Sequence, residues 1–163
     1  MQMSNWFKPG SFYLMVIMFS YLHTPVFSQE NDTANEKKMI VRRLIEEGYN
    51  KRNFEVIDSL VSVDYVEYTN GIRSDSATAI KKTIKWLNSR APNFQIKPLN
   101  FITEGDMVVM QWLYTGTNVK YNKEVTLHGI YIARFEGDLI AEGWQYFDNQ
   151  QRYEQLGFKM DIP

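Results

Sequence analysis

Apolar residues recur with two different periods along this chain, and the change of period divides it. From Glu36, the residues Ile40, Val41, Leu44, Ile45 and Tyr49 fall at helical spacing with charges between them, which predicts an amphipathic helix to about Lys51. Asn53 is placed to cap a short second helix holding Phe54, Ile57 and Leu60. Val63 to Tyr68 reads as a strand ending at the turn signal Asn70-Gly71, and Asp75 is the expected cap of a third helix with Ala77, Ile80, Ile84 and Leu87 on one stripe. Lys81, Lys82 and Lys85 lie on its other faces and read as a solvated surface.

After Ala91-Pro92 the spacing becomes extended. Strands are predicted over 94–103, 107–117, 124–136 and 139–148, with turns at Glu104-Gly105-Asp106 and Gly137-Asp138. A closing helical turn over 150–156 ends at Gly157. Helices followed by a meander predict an α+β domain, the helices packed on one face of a strongly curved antiparallel sheet.

Composition removes whole classes of function. The chain has 163 residues, 18 Lys+Arg against 19 Asp+Glu and no Cys. The length suits one domain, and without an excess of positive charge no nucleic-acid partner is expected. Disulfides, thiolate metal sites and cysteine nucleophiles are excluded. No Gly-x-Ser-x-Gly turn or glycine-rich phosphate loop occurs.

Residues 1–28 have the three parts of a secretory signal peptide: Lys8, an apolar stretch from Phe12 to Leu22, and Val26 and Ser28 before a cut at Gln29. Such a stretch reaches about 17 Å as a helix against a hydrocarbon core of about 30 Å, so no stable membrane anchor is expected after cleavage. The expectation is an exported protein, periplasmic or secreted, with a flexible lead over 29–35, a domain over 36–158 and a tail over 159–163. Beyond the signal segment His128 is the single histidine, so no metal set is expected.

The order of elements, with the closing string from Gly129 through Ala133-Arg134-Phe135-Glu136-Gly137-Asp138 to Trp144, resembles the SnoaL-like (polyketide cyclase) family of the nuclear transport factor 2-like superfamily. Val56 to Val61 before Asp64-Tyr65-Val66, the turn from Ile102 to Val108, and Asp148 followed by Gln155-Leu156-Gly157 are similar to further pieces of that family. The resemblance implies a cone of curved sheet and helices around a pocket, metal-free and cofactor-independent acid/base chemistry of aldol, isomerase or cyclase type, a small hydrophobic ligand, and a homodimer. Two departures stand out. Glu67-Tyr68 stands where members often have Asp-His, and Gly143 replaces a charged residue before the final Trp.

A carboxylate serving such chemistry must be withdrawn into an apolar cavity, which raises its pKa toward neutrality. Counting outward from a hairpin at Gly137-Asp138 sets Glu142 opposite Ala133 and Trp144 opposite Tyr131. Glu142, Trp144, Tyr146, Tyr131 and Ala133 then share one face, with Glu142 as the candidate acid/base; the alternative for this face is solvent or a dimer contact. The resemblance carries a catalytic role to His128. Strand parity puts it on the other face unless a bulge at Gly129 rotates it, and a surface or structural histidine is the alternative. Tyr68 and Glu67 are candidate rim groups and Trp112 a candidate cavity wall or core residue. Asp148 reads as a helix cap or rim residue. A non-catalytic ligand-binding or dimerising protein is the second reading of the whole chain.

Overall fold

The computed structural model describes residues 26–159. The described residues from Ala34 onward belong to one compact unit. The expected signal peptide lies outside the described residues up to Pro25, and no helix among the described residues is long and apolar enough to cross a membrane.

Helix α1 spans Val26–Arg43 and continues as a π-helical turn, Leu44–Tyr49, that buries Leu44, Ile45 and Tyr49. Residues 29–35, expected as a flexible lead, are helical: no glycine or proline interrupts the segment, so the backbone bonds of α1 run through these polar residues. Helix α2, Phe54–Leu60, is capped as expected, Asn53 Oδ1 accepting from the backbone N–H groups of Glu55 and Val56.

Strand β1, Val61–Thr69, turns at Asn70 (φ 48°) and Gly71 (φ 82°) into a short exposed strand β2, Ile72–Asp75, that the sequence pattern did not reveal. Asp75 is therefore not the cap of the next helix. It ends β2 and pairs with Arg73 at 2.8 Å, while Ser76 holds the cap position without a side-chain bond. Helix α3, Ala77–Arg90, buries Ile80 and Ile84.

The meander consists of β3 (Gln95–Glu104), β4 (Met107–Asn118), β5 (Lys123–Glu136) and β6 (Leu139–Phe147). Helix α4, Asn149–Gln155, begins with Asp148 accepting from the N–H of Gln151 at 3.0 Å. The strand order is β2-β1-β6-β5-β4-β3, a curved sheet that does not close on itself. It is mixed rather than wholly antiparallel, because β1 pairs with β6 in parallel. A parallel pair needs a long crossover, and everything between Thr69 and Leu139 supplies it.

Register decides which residues face inward. Glu136 pairs with Leu139 and Phe135 with Ile140, but Arg134 pairs with Glu142, so Ala141 is an extra residue on β6. Ile140 and Ala141 are both buried. Because side chains alternate, one extra residue exchanges the faces of everything beyond it. Gly143, Gln145 and Phe147 face inward with Tyr131 and Ala133, whereas Glu142, Trp144 and Tyr146 face outward.

A candidate active site beside an apolar cavity

Between the inner face of the sheet and the helices lies a cavity of about 570 Å³. Its walls include Met110, Trp112 and Tyr114 of β4, Leu127 and Tyr131 of β5, and Phe147 of β6, facing Ile45, Tyr49 and Leu87 from the helical side. The volume is in the range of small-molecule sites.

Glu67 is buried on the inner face of the sheet, next to residues that line this space but not itself part of the lining. It is 4% exposed and is the one buried charged residue among those described. Alternation along β1 puts Tyr65, Glu67 and Thr69 on the inner face, and the register sets Glu67 between Ser74 of β2 and Gly143 of β6. Thr69, Ser74, Tyr49 and Tyr131 line the cavity and border the carboxylate by register or by charge coupling. Burial pushes the Glu67 carboxyl up to about 7. A carboxyl so placed holds and releases a proton near neutral pH.

Three phenols accompany it. Tyr65 and Tyr131 hydroxyls lie 3.1 Å apart, and burial together with the nearby Glu67 charge pushes the phenols of Tyr49, Tyr65 and Tyr131 above their ordinary range. They stay protonated and able to donate. Gly143 makes the arrangement possible: a Cβ there would stand 2.2 Å from Tyr65 Oη and 2.7 Å from Tyr131 Oη. The sequence carries a signal for this group in the odd-numbered run Tyr65, Glu67, Thr69, but β1's neighbour, β6, is remote in sequence.

The residues expected at the site divide between the two faces. Tyr131 and Trp112 line the cavity. Glu67, expected at the rim, is buried and is not itself part of the cavity lining. Glu142 does not face the cavity. The extra residue at Ala141 turns it outward, where Arg134 Nε donates to its Oε2 at 2.8 Å. Trp144 and Tyr68, also turned outward, stack on each other with ring centroids 6.0 Å apart, and Tyr146 is exposed nearby.

His128 stays on the outer face with Ile130, above a shallow depression that also includes Gln111 and Tyr146. No bulge occurs at Gly129. Pairing is continuous through Trp112, Gly129 and Phe147, and the missing side chain is filled by the Trp112 ring, 2.2 Å from where a Cβ would stand. His128 and Glu142 thus share the outer face, but Glu142 is paired with Arg134, about 20 Å along β5 from His128. They do not form one site. No group of three His, Cys, Asp or Glu among the described residues is positioned to hold a metal ion.

The SnoaL-like polyketide cyclase family model matches residues 39–156, the whole of the sheet and the helices around the cavity. The chain belongs to the SnoaL-like polyketide cyclase family. Solved members and fold relatives agree with the architecture. A protein of Acidithiobacillus ferrooxidans assigned as a polyketide cyclase is 23% identical, covering 75% of this chain and 94% of its own, with a TM-score of 0.67. A SnoaL-like protein of Jannaschia sp. CCS1 is 14% identical over 78% of this chain and 95% of its own, at 0.71. TerC, co-crystallised with polyporic acid, is 17% identical over 76% and 99%, at 0.66. These likenesses show the shared fold. No curated protein matches the sequence. Against the pattern of the SnoaL-like family, the glycine before Trp144 gains a structural account: the position is occupied by two tyrosine hydroxyls.

Proposed function

We propose that this SnoaL-like protein binds a small hydrophobic carbonyl compound in the cavity and moves a proton on it, with Glu67 as the exchanging acid/base and Tyr131 as hydrogen-bond donor to the carbonyl oxygen. The observation that carries the reading is the buried Glu67 carboxyl, raised to about 7 beside three protonated phenols, two of which, Tyr49 and Tyr131, line the apolar cavity. In the step envisaged, a proton leaves the carbon next to the carbonyl for the Glu67 carboxylate, and the electron pair rests on the enolate oxygen, to which Tyr131 Oη donates. Return of the proton to another carbon gives isomerisation. Attack of the enolate carbon on a second carbonyl, whose oxygen takes the proton, gives aldol-type cyclisation. No metal enters either step.

Exchange of the α-protons of 2-tetralone in deuterium oxide, followed by NMR, tests the reading. Exchange proportional to protein, about a hundredfold or more slower in Glu67→Gln and unchanged in Glu142→Gln, is the expected result. Binding of the ketone with exchange at the buffer rate would sink the enzyme reading and leave a ligand carrier.

Two further parts of the proposal concern the whole protein. Export rests on the signal-like residues 1–28, and N-terminal sequencing of secreted material should begin at Gln29. Homodimerisation through the outer sheet face is supported by Ile130 and Tyr146, both exposed beside the stacked Tyr68 and Trp144. Native mass measurement, with Tyr146→Lys shifting a dimer to monomer, tests it.

A further inference from the structure

In the cavity wall stand two guanidiniums with no carboxylate partner among the described residues. Among the described residues Arg42, Arg43, Arg73 and Arg134 each pair with a carboxylate, and Arg52 donates to Asn88 and to the Pro92 carbonyl. Arg90, at the end of α3, and Arg152, on α4, make no side-chain hydrogen bond or ion pair among the described residues, and both line the cavity. Among the described residues, none that lines the cavity is Asp or Glu.

Their surroundings are aromatic. The Arg152 guanidinium carbon lies 4.9 Å from the Tyr153 ring centre, 5.9 Å from that of Phe147 and 6.0 Å from that of Trp86, and Arg90 lies 6.0 Å from the same Trp86 ring. Ring faces hold the cations in place but accept none of their N–H bonds.

Two donors are buried without acceptors, and they flank one ring. Arg152 Nε and Trp112 Nε1 have no hydrogen-bond partner among the described residues. Trp112 is 6% exposed and lines the cavity. Its ring is 6.0 Å from Phe147, over which Arg152 also lies. Buried donors are nearly always satisfied, and leaving them unpaired is costly, so a ligand that brings acceptors gains there. Phe147 is four residues along β6 from Gly143, the neighbour of Glu67, which sets Phe147 about 13 Å from the Glu67 position along the cavity.

We infer that the cavity selects an organic anion about 13 Å long, its carboxylate held by Arg90 and Arg152 over Phe147 and its apolar body running toward Tyr131. Trp112 Nε1 donates to a carboxylate oxygen or to an acceptor next to it. This assignment rests on the reading of the cavity as the binding site but not on proton transfer by Glu67.

Calorimetric titration of the full chain with 6-phenylhexanoate and with the neutral 6-phenylhexanamide at pH 8 tests it. The carboxylate is expected to bind about tenfold or more tightly than the amide, the difference one charge-assisted bond represents. Arg152→Gln should remove most of that preference while leaving amide binding within about twofold, and Arg90→Gln, on an exposed helix end, should remove part of it. Arg152→Lys, which keeps the charge, should restore some preference and shows that loss in the Gln variant is not misfolding. Glu67→Gln should leave the preference intact.

Equal binding of acid and amide to the wild type, or a preference surviving in the Arg90→Gln/Arg152→Gln double variant, would overturn the anion site while leaving the cavity reading in place. Binding of neither probe would overturn both. Failure of 2-tetralone exchange with the acid preference intact would overturn only the Glu67 chemistry.

Discussion

Tyr65 and Tyr131 approach each other hydroxyl to hydroxyl at 3.1 Å, over a backbone position that has no side chain. Tyr65 comes from β1 and Tyr131 from β5, with β6 between them in the sheet. Two long side chains can meet across an intervening strand because Gly143 leaves the gap, and the pair closes over the position beside Glu67.

Gly143→Ala should therefore cost about 1–3 kcal/mol, the range for forcing extra volume into a packed site. Its Cβ meets two hydroxyls of buried rings rather than the free end of a flexible chain. Urea denaturation measures the loss; a neutral substitution would mean that the rings move aside freely.

Removing one phenol should hurt more than its share. Tyr131→Phe leaves the buried Tyr65 hydroxyl without its partner, which costs about 1–3 kcal/mol. The Tyr65→Phe/Tyr131→Phe double variant leaves no orphan, so its destabilisation should fall below the sum of the single ones. Additive losses in a urea double-mutant cycle would contradict the pairing.

The raised Glu67 carboxyl fixes the sign of a pH dependence. Below its ordinary value of 4.5 the group is protonated in both the folded and the unfolded chain and contributes no difference. Between 4.5 and about 7 the folded chain keeps a proton that the unfolded chain has lost, so stability falls as pH rises through this window. The full difference is about 3 kcal/mol. Glu67→Gln should match the wild type near pH 4 and exceed it by up to that amount at pH 8, as read from denaturation midpoints. A wild type that gains on the variant as pH rises would refute the burial argument.

Glu142 tests the other face. Its ion pair with Arg134 is partly exposed, with side chains 31% and 28% accessible. Glu142→Gln should cost no more than about 1 kcal/mol, and less in high salt. Thermal melts at two salt concentrations check this, and a loss of several kcal/mol would place the carboxylate in a drier environment than the outer face.

Much of this architecture was legible before folding was considered. The stripe Val41, Leu44, Ile45 and Tyr49, the caps Asn53 and Asp148 and the turns at Asn70-Gly71 and Gly137-Asp138 all act over a few residues, where spacing and side-chain chemistry are sufficient. The family resemblance rested on the same local strings, and the family and fold followed from it. The site was read less well. Counting alternation from the Gly137-Asp138 turn put Glu142 inside, and a single extra residue, Ala141, reversed the choice. Glu67 was visible as an acid on a strand, but its withdrawal from water depends on β6, on Gly143 and on tyrosines from its own strand and from two other segments.

Local pattern was therefore enough for what the elements are and where they begin, because hydrogen bonding along the backbone and capping are short-range. Which acid is buried, which glycine makes room for a ring, and which arginines are left facing a cavity without partners depended on the assembled sheet. Each of those outcomes is set by strand register and by contacts between residues far apart in sequence, where a shift of one position exchanges the inside of the domain for its surface.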